Sequence, residues 1–338
     1  MKQYLLPAEG RFYKANLHTH STISDGTLTP EEIKDRYKAR GYAIVAFTDH
    51  NLMVPHPELA DADFLPLSGF EYDVTDPDPR LTDFAEKRCC HLCLLAPTMC
   101  DTKQPLWHRR YYHWGFKPEH LPLARYDEEA PDFVREYSAE GINRAIATAR
   151  EAGFFITYNH PAWSLESYPE YMAYDGFHAL EVVNYSSLYA GFLDENLHVL
   201  RDMMRGGKRP FAVAADDNHN RTPDSFGGFT MIKAPSLAYA DVFAALMKGD
   251  FYASEGPRIE ELTYEDGRVQ IRTSSARSIT YHADVRNEKT VYATEDTPLT
   301  EATFTVGKCD GAFFLSVRDF EGKFAATRVY SIDALAGK

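Results

Sequence analysis

The first three-quarters of the chain alternates short apolar runs with amphipathic, helix-like segments, and this alternation most constrains the fold. FYKANLH (12–18) is strand-like and TPEEIKDRYKARG (29–41) reads as a helix with its ends written in. Thr29 is placed to cap it, Pro30 suits the first turn, Glu32 completes a capping box and Gly41 ends it. YAIVAFTDH (42–50) then reads as a buried strand, and the order repeats in AEGINRAIATAREAG (139–153) and FFITYNH (154–160). Later strands are expected in HALEVVNY, PFAVAADDNH and FTMIKA, followed by a helix in LAYADVFAALMKG. Such repetition predicts a parallel sheet or an α/β barrel. From about Arg258 the segments become short, alternating and turn-punctuated, with Asp266-Gly267 as a hairpin turn. The expected organisation is therefore an α/β domain over residues 1–257 and a small, sandwich-like all-β domain over 258–338. Residues 97–137, rich in Trp, Tyr, Arg, His and Pro with little periodicity, read as a long insertion that could cover a site.

Composition narrows the function classes. A chain of 338 residues with 44% hydrophobic and 25% charged residues has enough apolar material for a large core. Its formal net charge of −14 repels phosphate backbones, so nonspecific nucleic-acid binding is not expected. Pro7 and Glu9 interrupt any apolar run at the N-terminus, and no window is long enough for a membrane span. A cytoplasmic protein without a membrane partner is the expectation. The 5 cysteines do not suggest a disulfide framework. Cys90 and Cys93 have a metal-knuckle spacing, but in the strand-like RCCHLCLLA they would point to opposite faces and no second pair follows.

The chemistry lies in where the histidines and acids fall. His18 and His20 end the first strand at i and i+2, so both imidazoles can reach one ion. Asp25 follows in a Ser-Asp-Gly turn; His50, Glu71 and His160 each end a strand-like segment; His91 sits in CCHLCLL; Asp217 and His219 repeat the i, i+2 spacing after another strand. A lone His at a strand end is usually structural, but recurrence at one edge of successive strands is where α/β barrels build active sites. His56, His108, His113, His120, His178 and His198 fall outside the pattern and read as packing or surface residues. Asp49 and Asp216, next to candidate ligands, read as supporting groups.

The pieces NLHTHSTISDG, AFTDHN, GFEYD, CHLCLL, YNHP and DDNH, spread over residues 16–220, together resemble the PHP (polymerase and histidinol phosphatase) family. The resemblance implies a distorted (β/α)7 barrel and two or three divalent metal ions. It implies that His18, His20, Glu71 and Asp217 surround one ion, that Glu71 bridges to a second held also by His91 and His160, and that Asp25, His50 and His219 hold a third. Segments downstream of residue 210 resemble, more loosely, the carbamate- and ester-hydrolysing branch of the CehA/McbA type.

A water bridging two cations loses a proton near neutral pH and becomes a nucleophile, and the cations polarise the oxygen under attack. The expected function is hydrolysis of a small phosphate monoester, a nucleotide among the candidates, with Glu71, Asp25 and His219 as catalytic residues. Asp25 or His219 could pass a proton to the leaving group. Arg109, Arg110 and Arg221, with Arg144, are candidate phosphate binders. Trp107, Tyr111, Tyr112 and Trp114 could stack on an aromatic group, although packing of the insertion is the plainer reading. The alternative keeps the metal site and changes the bond to a carboxyl, carbamate or amide ester; a non-catalytic metal-binding module stands third. His and carboxylate ligands suit Zn, Mn or Fe almost equally.

Overall fold

A computed structural model describes residues 2–294 and 297–337. The α/β portion contains β1 (Gln3–Tyr4), β2 (Arg11–Asn16), β3 (Ile44–Phe47), β4 (Leu65–Thr75), β5 (Cys89–Leu95), β6 (Phe155–Tyr158), β7 (Ala179–Asn184), β8 (Phe211–Ala215), β9 (Phe229–Ala234) and β10 (Phe251–Ser254). Its helices are α1 (Pro30–Lys38), α2 (Ala139–Glu151), α3 (Tyr168–Ala173), α4 (Tyr185–Tyr189), α5 (Leu197–Arg205) and α6 (Tyr239–Lys248). The remainder holds β11 (Ile259–Glu265), β12 (Arg268–Ala276), β13 (Ser278–Ala283), β14 (Lys289–Tyr292), β15 (Leu299–Thr305), β16 (Ala312–Arg318), β17 (Phe324–Ala326), β18 (Tyr330–Ser331) and the short α7 (Ile332–Leu335).

Local sequence explains these elements. Helix α1 has its capping box, with Thr29 accepting from the Glu32 N–H and Glu32 reaching back to the Thr29 N–H, and it buries Ile33 and Tyr37. Ser138 caps α2, whose buried face is Ile142, Ala145, Ile146 and Ala149. Strands β3 to β8 are buried on both faces apart from Thr75 at the end of β4, as expected for the centre of a covered sheet, with Glu71, His91 and Glu181 among the polar exceptions to their apolar run.

The large sheet is an open path and does not close into a barrel. Its 14 strands run β14-β13-β16-β17-β10-β9-β2-β3-β4-β5-β6-β7-β8, with β18 on β16. The expected uniform parallel sheet is also corrected: β2–β3–β4 and β6–β7–β8 are parallel, but β4–β5, β5–β6 and β2–β9 are antiparallel. The reason is the connections. Parallel neighbours need a crossover long enough to return the chain, usually a helix. The link from β4 to β5 carries only a three-residue 3-10 turn at Phe84–Glu86, so β5 turns back on β4. β8 and β2 are not paired as strands, but just beyond their ends the Asp217 N–H bonds the His18 carbonyl at 3.0 Å and the His20 N–H bonds the Asn218 carbonyl at 3.1 Å.

Past Arg258 the chain is strand and turn until α7. β1-β11-β12-β15 form a second, 4-stranded sheet, so the N-terminal strand is built into this layer. A shared core that includes Leu262, Ile271, Tyr281, Phe304, Phe313 and Leu315 lies between the sheets. No helix of the described residues is long and apolar enough to cross a membrane.

Candidate metal centre

The ends of β2, β3, β6 and β8 deliver polar groups to one place, and β4 and β5 add theirs from within: Glu71, expected to end its strand, lies inside β4 because that strand runs on to Thr75, and His91 lies inside β5. His18 and His20, 1% and 0% exposed, follow β2 on the same side, while Thr19 between them turns away to accept from Asn16. His18 Nε2 and His20 Nε2 are 3.2 Å apart. Asp217 Oδ1 lies 2.9 Å from His20 Nε2 and 3.2 Å from His18 Nε2. Glu71, inside β4 and 1% exposed, places Oε1 2.9 Å from His91 Nδ1, 3.2 Å from His160 Nε2 and 3.3 Å from His18 Nε2, with Oε2 3.0 Å from His50 Nδ1. On the solvent side Asp25 Oδ1 is 3.3 Å from His219 Nε2 and 3.8 Å from His50 Nε2. Ligand atoms fall within 4.8 Å of one another in the sets His20-Asp25-His50-His219, His18-His160-Asp217, His50-Glu71-His91 and His18-Glu71-Cys93. The sets overlap: His160 Nε2 lies 3.2 Å from Glu71 Oε1 and 3.9 Å from Asp217 Oδ2, and His50 faces Glu71 as well as Asp25.

The residues fit a divalent cation on an observation of their own. His50 Nδ1 and Asp217 Oδ1 are buried and approach partners at 3.0 and 2.9 Å, yet neither makes a hydrogen bond. Buried polar atoms held this close to other polar groups without a hydrogen bond fit positions that would face a cation. His160 and Asp217 also hold left-handed backbone conformations, φ 24° and 54°, which a non-glycine residue adopts only where its surroundings impose it. Electrostatics agree. Burial alone would lower the pKa of His20, but the Asp217 and Glu71 carboxylates beside it push it up to about 10. Burial opposes the same shift in His160, which Glu71 raises to about 9. Burial would raise Glu71, but His18, His91 and His50 hold its carboxyl well below the usual range. Beside these carboxylates His18, His20 and His160 are thus all biased toward the protonated form, a positive charge that a bound cation would otherwise supply.

Supporting residues explain how the loops hold their shape. Asp49 accepts from Ser21 N–H and O–H, both at 2.8 Å, from Ser24 N–H at 3.1 Å and from Ser24 O–H at 2.6 Å, fixing the turn that carries Asp25. Asp216 accepts from the backbone of Phe226, Gly227 and Gly228 and from Tyr37. Glu181 on β7, fully buried, was not singled out by the sequence. Its Oε1 is 3.0 Å from His18 Nδ1 and its Oε2 accepts the His160 N–H at 3.1 Å. Its signal was weak, a single acid inside an apolar strand. Cys93 likewise reaches the back of the cluster, where Asn159 donates to it at 3.2 Å, while Cys90 on the opposite face joins the apolar core. Burial pushes the Cys93 thiol up to about 11, against the pull of His18, so it stays protonated.

A cavity of about 410 Å³ opens over the cluster, lined by residues between Asp25 and Asp224. Arg221 lies on its wall and donates to Asp25. The other arginines are elsewhere: Arg109 pairs with Asp132 at 2.6 Å and, with Arg144, lines a separate cavity of the insertion, and Arg110 is exposed away from the cluster. Trp107 packs on Tyr126 in the insertion, Tyr111 is exposed and Tyr112 contacts Arg135; only Trp114 of that group reaches the cavity. The insertion covers His50 closely: a Cβ on Gly115 would stand 2.5 Å from His50 Cβ. None of His56, His108, His113, His120, His178 or His198 lines the cavity.

Residues 16–180, which carry His18, His20, Asp25, His50, Glu71, His91 and His160 of the cluster just described, match the family described as PHP domain. This chain carries a PHP domain. The match ends before Asp217 and His219, which the fold returns to the same cluster. A 3',5'-nucleoside bisphosphate phosphatase from Chromobacterium violaceum is 56% identical over 36 residues, 11% of this chain. The chain spans 13% of that relative's length. Among solved structures, a two-domain protein from Bacteroides vulgatus containing a predicted PHP-like metal-dependent phosphoesterase is 14% identical, with 98% of each chain covered and a TM-score of 0.46. An amidohydrolase from Chromobacterium violaceum, with bound sulfate and no metal, is 20% identical, with 62% of this chain and 89% of that chain covered and a TM-score of 0.39.

Proposed function

We propose that this PHP domain is a hydrolase of small phosphate monoesters, a nucleotide among them, working with two or three divalent ions of Zn, Mn or Fe. The observation that carries the reading is the convergence of His18, His20, His50, His91, His160 and His219 with Asp25, Glu71 and Asp217 under one open cavity. A structural site needs only four ligands and leaves no open position. Glu71 is the carboxylate best placed to bridge, since each of its oxygens faces a different set of imidazoles. Bound cations would supply an acidified water and neutralise the non-bridging oxygens of a phosphate.

The chain's own groups do the rest. Hydrolysis joins the water oxygen to phosphorus, breaks the bond to the leaving oxygen and requires a proton there. Asp25 and His219 form the pair on the solvent side and are placed to pass it. Arg221, beside Asp25, offers its guanidinium to a further anionic oxygen. One observation favours a carboxyl, carbamate or amide ester instead: among the described residues Arg221 is the one Lys or Arg on the cavity wall, and aromatic rings occupy much of the mouth. The purified protein, reconstituted separately with Zn, Mn and Fe, should release phosphate from members of a panel of phosphate monoesters. Turnover of carboxyl or carbamate esters alone would transfer the assignment to the second reading.

A further inference from the structure

A histidine that binds metal through one ring nitrogen is normally held by a hydrogen bond on the other. Three of the candidate ligands follow that rule. Nε2 of each faces the cluster, while Nδ1 of His18 meets Glu181 at 3.0 Å, Nδ1 of His160 meets Ser164 Oγ at 3.2 Å and Nδ1 of His219 meets the Asp217 carbonyl at 3.0 Å. His50 departs from it. Its Nδ1 lies 3.0 Å from Glu71 Oε2 and its Nε2 lies 3.8 Å from Asp25 Oδ1, so both nitrogens stand beside cluster carboxylates, and Nδ1 makes no hydrogen bond. The position of this imidazole is therefore set through its backbone and its packing.

The insertion supplies both. Asn51, next to His50, is 1% exposed and has a left-handed φ of 61°, a conformation that a non-glycine residue keeps only where its surroundings hold it. Its N–H donates to the Glu71 carbonyl at 2.8 Å and its Nδ2 donates to Asp73 at 2.5 Å, both on β4. Its two acceptors are taken by the insertion: Gln104 Nε2 donates to the Asn51 carbonyl at 2.8 Å and Arg135 Nη1 to Asn51 Oδ1 at 2.7 Å. Gln104 also accepts the Met53 N–H at 2.8 Å, so it grips the chain at two points. Arg135 donates to the Asp73 carbonyl at 2.6 Å and is held between the Tyr72 and Tyr112 rings, 4.5 and 4.6 Å from their centroids. Gly115 closes the contact, since a Cβ there would stand 2.5 Å from His50 Cβ and 2.7 Å from Asn51 Nδ2. These bonds are buried, and leaving their polar groups unpaired would be costly.

We propose that the insertion is a part of the metal centre: Gln104, Gly115 and Arg135 clamp Asn51 and so position His50, and the affinity for the ion that His50 serves depends on the insertion being seated. The three are positioning residues and act through Asn51 and His50. The inference rests on the metal-binding reading of the cluster and is independent of which ester is cleaved. Linkage makes it reciprocal: an ion held by His50 keeps the insertion seated in turn.

Two measurements test it. Zinc affinity is read by titration against a chelator competitor, and seating of the insertion by the rate of tryptic cleavage at Arg110, which is exposed. In the wild type, zinc should slow that cleavage by about 5-fold or more, the lower end of ordinary coupling between sites. Gly115→Ala, which forces the insertion off His50, and Gln104→Leu, which removes both of its grips, should each weaken zinc binding by about 10- to 100-fold, the scale of losing a ligand's orienting partner. Both should also lose the zinc-dependent protection. Arg109→Ala frees the insertion from Asp132 without touching Asn51 and should bind zinc as the wild type does. Unchanged affinity in both clamp variants, or an equal loss in Arg109→Ala, overturns the clamp. If neither clamp variant folds, the wild type decides alone: cleavage at Arg110 that is equally fast with and without zinc overturns the proposal, and protection by zinc supports it. A wild type that binds no zinc removes the metal reading and the clamp together, whereas a zinc-binding protein that releases no phosphate removes the phosphoesterase reading alone.

Discussion

At the scale of the residue, the site depends on carboxylates that orient imidazoles. Glu71→Gln keeps size but replaces one charged oxygen with an amide nitrogen that does not ligate a cation. Two ions would then repel with less compensation. The expected outcome is a native circular dichroism spectrum, loss of bound metal and phosphate release reduced by about 100-fold or more, on the scale of losing a principal catalytic group. Equal turnover with equal metal content would show that Glu71 does not bridge. Glu181 tests a different role. It touches His18 Nδ1 and the His160 backbone and no open space, so it acts through the ligands it positions. Glu181→Gln should weaken metal affinity by about 10- to 100-fold, the usual effect of losing a ligand's orienting partner. Metal titration with a chelator competitor reads this directly; an unchanged affinity would make Glu181 merely a packing residue.

At the scale of the element, α1 holds the rear of the site. Its Tyr37 hydroxyl donates to Asp216 and stands 2.7 Å from Asn218 Oδ1, between the loops of β2 and β8. Tyr37→Phe would leave those buried acceptors short of a donor and should cost about 1–3 kcal/mol in denaturant unfolding. Thr29→Ala removes only the helix cap and should cost about 1 kcal/mol. If the two losses were equal, Tyr37 would be contributing no more than local helix stability. The capping box was fully legible beforehand because it is written in four consecutive residues. The direction of β5 was not, because antiparallel pairing followed from the length and content of a connection and not from the strand itself.

At the scale of the whole molecule, buried titratable groups outside the site set opposing pH dependences. Burial, aided by Arg150, lowers His178 to about 4. Burial pushes Glu166 up to about 7, against hydrogen bonds from Tyr158, Tyr174 and Tyr137. The His178 contribution is present above its unfolded value near 6.5 and is lost as pH falls toward 4. The Glu166 contribution is present below its unfolded value near 4.5 and is lost as pH rises through 7. Between about pH 4.5 and 6.5 the two therefore oppose each other. Relative to the parent at each pH, the Tm of His178→Gln should rise on acidification across that window and that of Glu166→Gln should fall. Parallel Tm profiles for parent and variants would refute both assignments.

What the sequence by itself determined was local or periodic: the capped α1, the buried strands, the change of texture near Arg258, and ligand-competent residues in or just after successive strands. Those depend on neighbours a few residues apart, where backbone geometry dictates which side chains share a face. Only the tertiary structure decided the rest. It set the open sheet with antiparallel β5, brought Asp217 and His219 back beside His18 and His20, and placed Glu181 behind them. It separated Arg109 and Arg110 from the cluster and left Arg221 at its edge. It also gathered Phe84, Trp114 and Trp163 from three connections into one mouth. No spacing rule links those rings, because loops take their positions from the strands they join and from the packing beneath them.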